Sequence, residues 1–590
     1  MYQLRTLLVC LCLATPLFSS TSFFPLRDVK PGLKGTGRTV FQGDRVEEFQ
    51  VEILGVLENS GPKQSIILAR LSGGPLANAG VMQGMSGSPV YVEGKLLGAI
   101  ALGFPFSKEP IAGIQPIEQM VRGQEGAVTS AEAHITFPEL AKQWRQRFQP
   151  DPASGSNGSN SELRNLSTPL VLGGFTESTV QRFSQAFRKL GFEPQTGAGA
   201  GSRSSQPYTG TVEPGAMIAV QLMSGDLNVS ADGTVTHVDG KKVYAFGHRF
   251  LASGTTDLPF ARADVITLLP NLNSSFKVSA ARELVGSITS DLSTAVSGEI
   301  GRPARLIPLD IQVHGPDGPH TYNIDLVNDR LFTPFLAQMA LYSTIDGTER
   351  TTGAGTLRVR GKVEFEGDTP PLVLDNVFAA DSNAALAATF NLITPLAFSL
   401  QAGFANMTLK RLSFQFDIDE QKRQLEIQDA WLSRTEVRPG DTVNITCLLA
   451  GENGFEIKKS LPYTIPIGAS TGKLFLTISD GNMLNFSELA GLSPTSLSSA
   501  RQLVDILNSI RPNDQAYVRI WRQEPSFSLP GADLTDPPPS VAVVLSKTSS
   551  AMAAGGNPLI SRGSQMDELR IAFGDYAVTG SKTIQLDIKE

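Results

Sequence analysis

The chain has 590 residues, of which 41% are apolar and 18% charged, and its formal net charge is −7. At about 100 to 200 residues per domain this length predicts roughly three to five domains, and the apolar content excludes a chain that is disordered throughout. An acidic chain without a run of lysines or arginines also argues against a nucleic acid as partner.

Residues 1–22 are predicted to be a signal peptide. Arg5 supplies positive charge, Leu7 to Phe18 form an apolar stretch, and Ser20 to Ser22 offer small residues for cleavage before Phe23. An uncleaved anchor is the alternative, but the apolar stretch is shorter than the roughly 20 residues of a spanning helix. We therefore expect a secreted or periplasmic protein of the bacterial cell envelope, with no integral membrane segment after signal cleavage.

Cys447 is the only cysteine that remains after signal removal, because Cys10 and Cys12 lie within the signal. An intrachain disulfide and a cysteine metal cage are therefore excluded. No two histidines stand four residues apart, and no carboxylate–histidine cluster has the spacing of metal ligands. We expect neither a metal nor a cofactor.

Residues 23–145 are predicted to form a first β module. Apolar residues alternate at Val51 and Ile53, and a hairpin is predicted from Val90 to Leu102 with its turn at Glu93-Gly94-Lys95. Residues 146–210 are predicted to contain linkers and one helix. Pro150 to Ser161 is the first linker, and the helix starts at a Thr176 cap.

The remaining residues are predicted to be mostly β. Residues 211–345 form a second β module, and 346–430 form a β domain whose alternating strands are typical of a sandwich. Residues 431–480 resemble an immunoglobulin-like β-sandwich. A small α+β region follows at 481–590, with a helix from about Ser496 to Ile510. No segment after the signal is expected to cross a membrane.

The sharpest local signal is the turn Gly84-Met85-Ser86-Gly87-Ser88-Pro89. A serine between glycines on a tight turn presents its hydroxyl outward while neighbouring amides converge on one point, which can serve as an oxyanion hole. The spacing differs from the nucleophile elbow of α/β-hydrolases and is closer to the G-x-S-G-x-P turn of chymotrypsin-like peptidases. The alternative is a plain glycine-rich β-turn.

A serine hydroxyl needs a base to take its proton, and the chain has five histidines. His134, His314 and His320 lie in polar surroundings typical of surface groups. His237 lies within a predicted strand and is expected to be a sheet-face residue. His248 follows the strand end Tyr244-Ala245-Phe246-Gly247, where a strand delivers a side chain to a cleft, although a structural role is equally open.

Both segments resemble parts of the SpoIVB-type serine peptidases. The serine turn and the hairpin after it, to Ala99, resemble the catalytic-serine segment of that family. Gly233-Thr234-Val235-Thr236 through Phe246-Gly247-His248 resembles its histidine segment, and Gly286 to Gly301 resembles the region that follows. In the family the histidine segment comes first, whereas here the order is rearranged and the serine comes first.

The resemblance implies a mainly β, multidomain chain in which two separated segments form a chymotrypsin-like double β-barrel. It implies an exported serine endopeptidase with Ser86 as nucleophile, His248 as general base, and the amides of Gly84 and Ser86 as the oxyanion hole. The partner would be a protein or peptide substrate.

The acid that would orient the histidine is not given by the motif. Asp257 and Asp264 follow His248 closely, with Asp291 behind them, and we predict Asp257. The alternative function is a catalytically inactive peptidase-fold protein that acts as a binding or scaffold protein of the cell envelope.

Overall fold

A computed structural model gives the fold of the chain. It describes residues 22–104, 106–122, 136–147, 163–197, 211–271, 274–316, 318–348, 354–382, 384–404, 406–489, 492, 497–523, 526–529, 532–535, 537–544, 559–561 and 564–590. Apart from Ser22, the predicted signal peptide lies outside the described residues, as do the predicted linker at 150–161 and His134.

The first barrel is a closed ring of six antiparallel strands. They are β1 (Lys34–Val40), β2 (Val46–Gly61), β3 (Gln64–Ser72), β4 (Pro89–Val92), β5 (Lys95–Gly103) and β6 (Ile111–Pro116), with a 3-10 helix at Leu26–Asp28, α1 (Leu76–Ala79) before β4, and α2 (Ile117–Arg122) after β6. The ring order is β1-β2-β3-β6-β5-β4, and β4 closes it by pairing with β1.

The alternating pattern of the sequence explains the inside of this barrel. Val51 and Ile53 of β2 are buried in its core, as is Phe49, while the residues between them face outward. The predicted hairpin is confirmed as β4 and β5. Its turn residues Glu93 and Gly94 both have positive φ, 52° and 73°, the conformation of a two-residue hairpin turn.

The segment between the two barrels attaches to both. It contains α3 (Phe137–Arg147), β7 (Arg164–Asn165), β8 (Thr168–Gly173), α4 (Glu177–Lys189) and β9 (Phe192–Thr196). The predicted helix is α4, and the Thr176 side chain caps it by accepting a hydrogen bond from the amide of Thr179. Strand β7 pairs with β5 of the first barrel, and β8 pairs with a strand of the second.

The second barrel repeats the plan of the first. Its strands are β10 (Met217–Gly225), β11 (Asn228–Asp239), β12 (Lys242–Ala245), β13 (Gly254–Leu269), β14 (Phe276–Leu292) and β15 (Ala295–Ile300). They form the closed ring β10-β11-β12-β15-β14-β13. Counted within each barrel, both rings have the strand order 1-2-3-6-5-4. The predicted double β-barrel, built from two separated segments, is confirmed.

The sheet of the second barrel continues beyond the ring. Its further elements are β16 (Leu306–Gly315), β17 (Gly318–Val327), α5 (Phe332–Thr348), β18 (Gly355–Phe365), β19 (Leu372–Ala380), α6 (Ala384–Gln401) and β20 (Leu409–Asp419). The strands extend β10 in the order β17-β16-β20-β18-β19. The prediction of a separate sandwich-like domain at 346–430 is therefore wrong. Strands β18, β19 and β20 belong to the same sheet as the strands of 211–345.

Helices α5 and α6 were missed because they are apolar on nearly every side. Both lie against the extended sheet and bury most of their residues, so their sequences lack the one-sided pattern of a surface helix. By length and composition α6 could also span a bilayer, and it is the only such helix in the described part of the chain; 61% of its 18 residues are buried inside the fold. That no segment after the signal crosses a membrane stays a prediction.

The last part of the chain is a two-sheet sandwich. Its elements are β21 (Gln424–Leu432), β22 (Glu436–Val437), β23 (Thr442–Ala450), a 3-10 helix at Glu452–Gly454, β24 (Glu456–Thr464), β25 (Gly472–Asp480), α7 (Gly481–Leu489), α8 (Ala500–Asn508), β26 (Gln515–Arg522), β27 (Ser526–Leu529), β28 (Ala532–Thr535), β29 (Leu559–Ser561), β30 (Ser564–Ala572), β31 (Ala577–Thr579) and β32 (Ser581–Ile588). A further helical segment lies at 539–544.

Its two sheets, β24-β23-β21-β31 and β22-β32-β25-β26-β30, share one hydrophobic core that includes Cys447, and β27, β28 and β29 form a small separate sheet. The predicted boundary at residue 480 is wrong, because the last strand β32 pairs with β25 along its length. The predicted helix near 496–510 is α8, and Ser499 caps it.

Candidate active site

The Ser86 turn lies between the third and fourth strands of the first barrel. Gly84 and Gly87 have φ of 89° and 95°, values that side chains rarely adopt, so the chain turns sharply on each side of Ser86. Ser86 is fully buried, and its Oγ has no hydrogen-bond partner among the described residues. A buried hydroxyl without a partner is unfavourable for stability, which points to a functional role for this position.

Two threonines of the second barrel hold this turn in place. The amide of Thr234 donates to the carbonyl of Ser86 at 2.8 Å, and its Oγ1 donates to the carbonyl of Gly84 at 2.9 Å. Thr236 Oγ1 donates to the carbonyl of Gly87 at 2.7 Å. The carbonyls of Gly84, Ser86 and Gly87 are therefore directed at β11 and accept hydrogen bonds there.

The amides of Gly84 and Ser86 remain available. Within the ranges that the structure describes, neither of them donates a hydrogen bond to another atom. Two free amides two residues apart, on a turn whose carbonyls are fixed elsewhere, can stabilise a negative oxygen. The resemblance implied these two amides as the oxyanion donors, and that role stays a prediction.

His248 lies between the third and fourth strands of the second barrel, the position that Ser86 has in the first. Phe246 and Gly247 precede it with φ of 67° and 70°, and the His248 side chain is 4% exposed. Its Nδ1 lies 2.7 Å from the carbonyl oxygen of Arg249. Because a carbonyl can only accept, Nδ1 carries the proton and Nε2 is left with a lone pair.

Burial sets the protonation state of this imidazole. It lowers the pKa of His248 to about 4, because the charged form loses its hydration. The ring is therefore neutral near pH 7, and Nε2 has no hydrogen-bond partner in the described chain. A neutral histidine with a free Nε2 is the form that a general base requires.

The serine and histidine segments meet on β5 of the first barrel. A Cβ on Gly87 would lie 1.9 Å from the carbonyl oxygen of Thr234 and 2.6 Å from the amide of Phe246. A Cβ on Gly247 would lie 3.1 Å and 3.2 Å from the Cβ atoms of Ala99 and Ala101. The backbone on each side approaches so closely because glycine stands at both contacts.

Ser86 Oγ and His248 Nε2 are not hydrogen bonded to each other, since both atoms lack any partner among the described residues. The structure thus brings the two segments together and leaves the reacting atoms uncoupled. Catalytic hydrogen bonds are often loose in unliganded sites and tighten with substrate.

Asp257 does not orient His248, and the prediction for this residue is wrong. Its carboxylate accepts hydrogen bonds from Ser287 Oγ at 2.7 Å and from the amide of Arg305 at 2.9 Å. Asp264 is also engaged elsewhere, by Arg262 and Arg282. Closeness in sequence was misleading because Asp257 lies within β13 and its carboxylate points to Ser287 of β14 and to the amide of Arg305.

Asp291 supports the histidine loop indirectly. It lies near the end of β14, and its carboxylate accepts from the amides of Phe250 and Leu251 at 2.8 and 2.6 Å and from that of Ser253 at 3.2 Å. It fixes the backbone that follows His248 without contacting the imidazole. The carbonyl of Arg249 therefore takes the place of an acid at Nδ1.

A buried charged cluster beside the turn was not anticipated. Lys277 is fully buried, and its Nζ donates to Thr39 Oγ1 at 2.7 Å, an atom that also accepts from Ser88 Oγ at 3.1 Å. Asp232, equally buried, accepts from Ser279. Burial lowers the pKa of Lys277 and raises that of Asp232, each to about 7.

The cluster touches the oxyanion turn, since a Cβ on Gly84 would lie 3.2 Å from Lys277 Cδ. Lys277 is at an inward position of β14, and this placement becomes visible only in the structure. Two other described histidines have partners elsewhere: His237 stacks on Tyr244, and His314 pairs with Asp417. No cluster of three or more histidine, cysteine or acidic side chains that could hold a metal occurs in the described residues.

Residues 26–121 match the family model described as SpoIVB peptidase S55. The match includes Gly84 and Ser86 and ends well before His248, so the histidine barrel lies outside it. No curated protein and no solved structure is significantly similar to the chain.

Proposed function

We propose that this chain, whose residues 26–121 match the family model described as SpoIVB peptidase S55, is an exported serine endopeptidase that acts by an acyl-enzyme mechanism. Ser86 is the nucleophile and His248 the general base. One observation carries the assignment. Ser86 Oγ and His248 Nε2 are both buried without a hydrogen-bond partner among the described residues, and the serine and histidine segments that carry them are in contact.

The reaction follows from the positions of the protons. His248 Nε2 takes the Oγ proton while Oγ attacks the carbonyl carbon of a peptide bond, and the amides of Gly84 and Ser86 hold the oxygen that becomes negative. The imidazolium then gives its proton to the leaving nitrogen as the C–N bond breaks. Water, deprotonated by Nε2, hydrolyses the ester on Ser86 and releases the acid.

The carbonyl of Arg249 has a limited role in this scheme. It keeps the proton on Nδ1 and so fixes the tautomer, as the carboxylate of a triad does. Unlike a carboxylate it carries no full charge, so it stabilises the imidazolium less. We expect slower turnover than a triad with an acid would give.

Fluorophosphonate labelling tests the assignment directly. The wild type should be labelled covalently, and Ser86→Ala should lose the label. His248→Gln should label at least about a hundredfold more slowly, because the base is missing. Ser60→Ala is the matched control, since this exposed serine of β2 only donates to the carbonyl of Gln64. Equal labelling of wild type and Ser86→Ala would refute the nucleophile.

The alternative function is a catalytically inactive envelope protein that binds or organises partners. One observation supports this alternative: Ser86 Oγ and His248 Nε2 are buried and are not hydrogen bonded to each other. A chain that remains unlabelled, while a control peptidase reacts under the same conditions, would support this alternative.

Export is part of the proposal. It is supported by the sequence of residues 1–22, and intact-mass analysis of the protein recovered from the cell envelope or medium tests it. The mature chain should begin near Phe23. A full-length chain that stays in the cytoplasm would contradict export and leave the chemistry of the site untouched.

A further inference from the structure

One edge of β5 pairs first with β4 and the Ser86 turn. Beyond the turn, another segment of the same chain pairs with this edge. Along this edge Pro89 pairs with Ala99, and the amide of Gly87 donates to the carbonyl of Ile100 at 2.7 Å. The next carbonyl, that of Ala101, accepts from the amide of Leu166 at 2.9 Å. Leu166 thus follows the serine turn directly.

Two more residues complete a short antiparallel strand on this edge. Asn165 pairs with Leu102, and Arg164 pairs with Gly103. The segment Arg164–Leu166 therefore runs toward the serine turn, with Leu166 nearest to it. An extended peptide that lies on the edge of a sheet in this way is a common mode of peptide binding.

The side chain of Leu166 enters a small apolar pocket. Leu166 is buried, whereas Arg164 and Asn165 are exposed. A Cβ on Gly103 would lie 2.9 Å from Leu166 Cδ2 and 3.8 Å from Val81 Cγ1, so the missing side chain at Gly103 leaves the space that the leucine fills. Leu166 belongs to the same core cluster as Met85, the residue before Ser86.

We propose that the β5 edge from Ala101 to Gly103 is the substrate-binding edge, and that Arg164–Leu166 occupies it in place of substrate. This inference rests on the proposed function. A peptide lying there in the same direction would present the carbonyl of its residue at the Leu166 position to Ser86. The substrates are extended peptides with leucine, or an aliphatic residue of similar size, before the attacked bond.

The occupied edge lies next to a closed site. Ser86 has no exposure, so an incoming peptide first has to displace the internal segment. Displacement removes one leucine side chain from its apolar pocket and breaks a few backbone hydrogen bonds. Free substrate therefore competes with a tethered segment, and affinity rises when that segment is weakened.

A binding experiment in the Ser86→Ala protein tests this without requiring catalysis. The probe is a fluorescent peptide with the sequence Arg-Asn-Leu-Ser, followed by anisotropy. Leu166→Asp should raise its affinity at least about tenfold, because an aspartate does not remain in the apolar pocket. Asn165→Asp is the matched control, since it puts the same charge on the exposed neighbour, and its affinity should not change.

Two further proteins keep the test decisive. Leu166→Ala should give a smaller gain in probe affinity. It replaces Leu166→Asp in the test if the aspartate variant has a lowered melting temperature. Adding Gly103→Val to Leu166→Asp should abolish the gain, because valine fills the pocket. A probe with aspartate instead of leucine should bind at least about tenfold more weakly to Leu166→Asp.

An unchanged affinity in Leu166→Asp and in Leu166→Ala, with both proteins folded, would overturn the proposal. Probe binding to Leu166→Asp, together with no labelling of Ser86 in a Leu166→Asp protein that keeps Ser86, would uphold this edge and refute catalysis, because the edge is open in that variant. Labelling of Ser86, together with a probe affinity that does not change when residue 166 is replaced, would uphold catalysis and refute this binding edge. The two proposals therefore fail separately.

Discussion

The amide of Thr234, in the second barrel, donates to the carbonyl of Ser86, in the first, at 2.8 Å. Its Oγ1 also donates to the carbonyl of Gly84. Thr234 therefore holds the carbonyls of Gly84 and Ser86, the two residues whose amides are the predicted oxyanion donors. The geometry of one barrel's turn is thus set by a residue of the other. Thr234 is a positioning residue, since it acts through the turn.

Replacing Thr234 by valine tests this role. Thr234→Val keeps the shape and removes the Oγ1 donor, so the buried Gly84 carbonyl loses its partner at a cost of about 1 to 3 kcal/mol of unfolding free energy. We also expect fluorophosphonate labelling to slow by about tenfold or more, because the amides are less well aligned. Thr234→Ser should restore most of the labelling rate, which a purely packing role would not predict.

Gly87 should tolerate no side chain. Gly87→Ala has to displace the carbonyl of Thr234 and the amide of Phe246 and should lower the melting temperature and the labelling rate. Gly94→Ala is the matched control, because Gly94 also has positive φ but no heavy atom within 4 Å of its added Cβ. Both variants incur about 1 kcal/mol of backbone strain. Equal melting temperatures would contradict the close approach of the barrels at Gly87.

Labelling should depend on pH in an unusual range. Because burial lowers the pKa of His248 to about 4, the base stays neutral at pH 5 to 6, where an ordinary histidine is largely protonated. The labelling rate of folded protein should therefore fall only as the pH drops through about 4. A fall centred near pH 6.5 would show that the imidazole is solvated in the working site.

The same group links pH to stability. Its pKa is lower in the folded chain than the 6.5 of the unfolded chain, so the unfolded state binds more protons between these values. The contribution of neutral His248 is complete above pH 6.5 and is lost as the pH falls from 6.5 toward 4, on the order of 3 kcal/mol. Urea unfolding of wild type and His248→Gln should show this decline only in the wild type.

Lys277 and Asp232 should behave as a coupled buried pair. Lys277→Met leaves the Asp232 carboxyl without the nearby cation and should lower the unfolding free energy by about 3 kcal/mol. Adding Asp232→Asn should recover part of this loss, because no buried charge then remains uncompensated. Urea unfolding of the single and double variants measures the coupling. Additive losses would show that the two groups act independently.

Features of the fold and site could be predicted from the sequence where they depend on residues close together along the chain. The glycines of the serine turn and the hairpin after it are local features, and their positive φ follows from residue type. The pairing of Ser86 with the histidine barrel came only through the family resemblance. The contacts of Thr234 and Lys277 join residues about 150 or more positions apart, and no pattern within one strand reveals them.

The errors have equally physical causes. Asp257 was chosen by distance along the chain, but a strand carries its residues about 3.3 Å further at each step, so a neighbour in sequence soon leaves the site. Helices α5 and α6 were missed because burial on all sides erases helical periodicity. The sandwich was drawn too short because its last strand β32 returns to β25 from the end of the chain.

The repeated ring order has a consequence for how such a site can be controlled. Each ring carries one reactive group in the connection between its third and fourth strands, so neither ring contains the chemistry alone. The proposed reaction then depends on how the two barrels pack against each other, and glycine stands at their closest contacts. A small displacement at the contact between the barrels would therefore stop the proposed reaction while both barrels stayed folded.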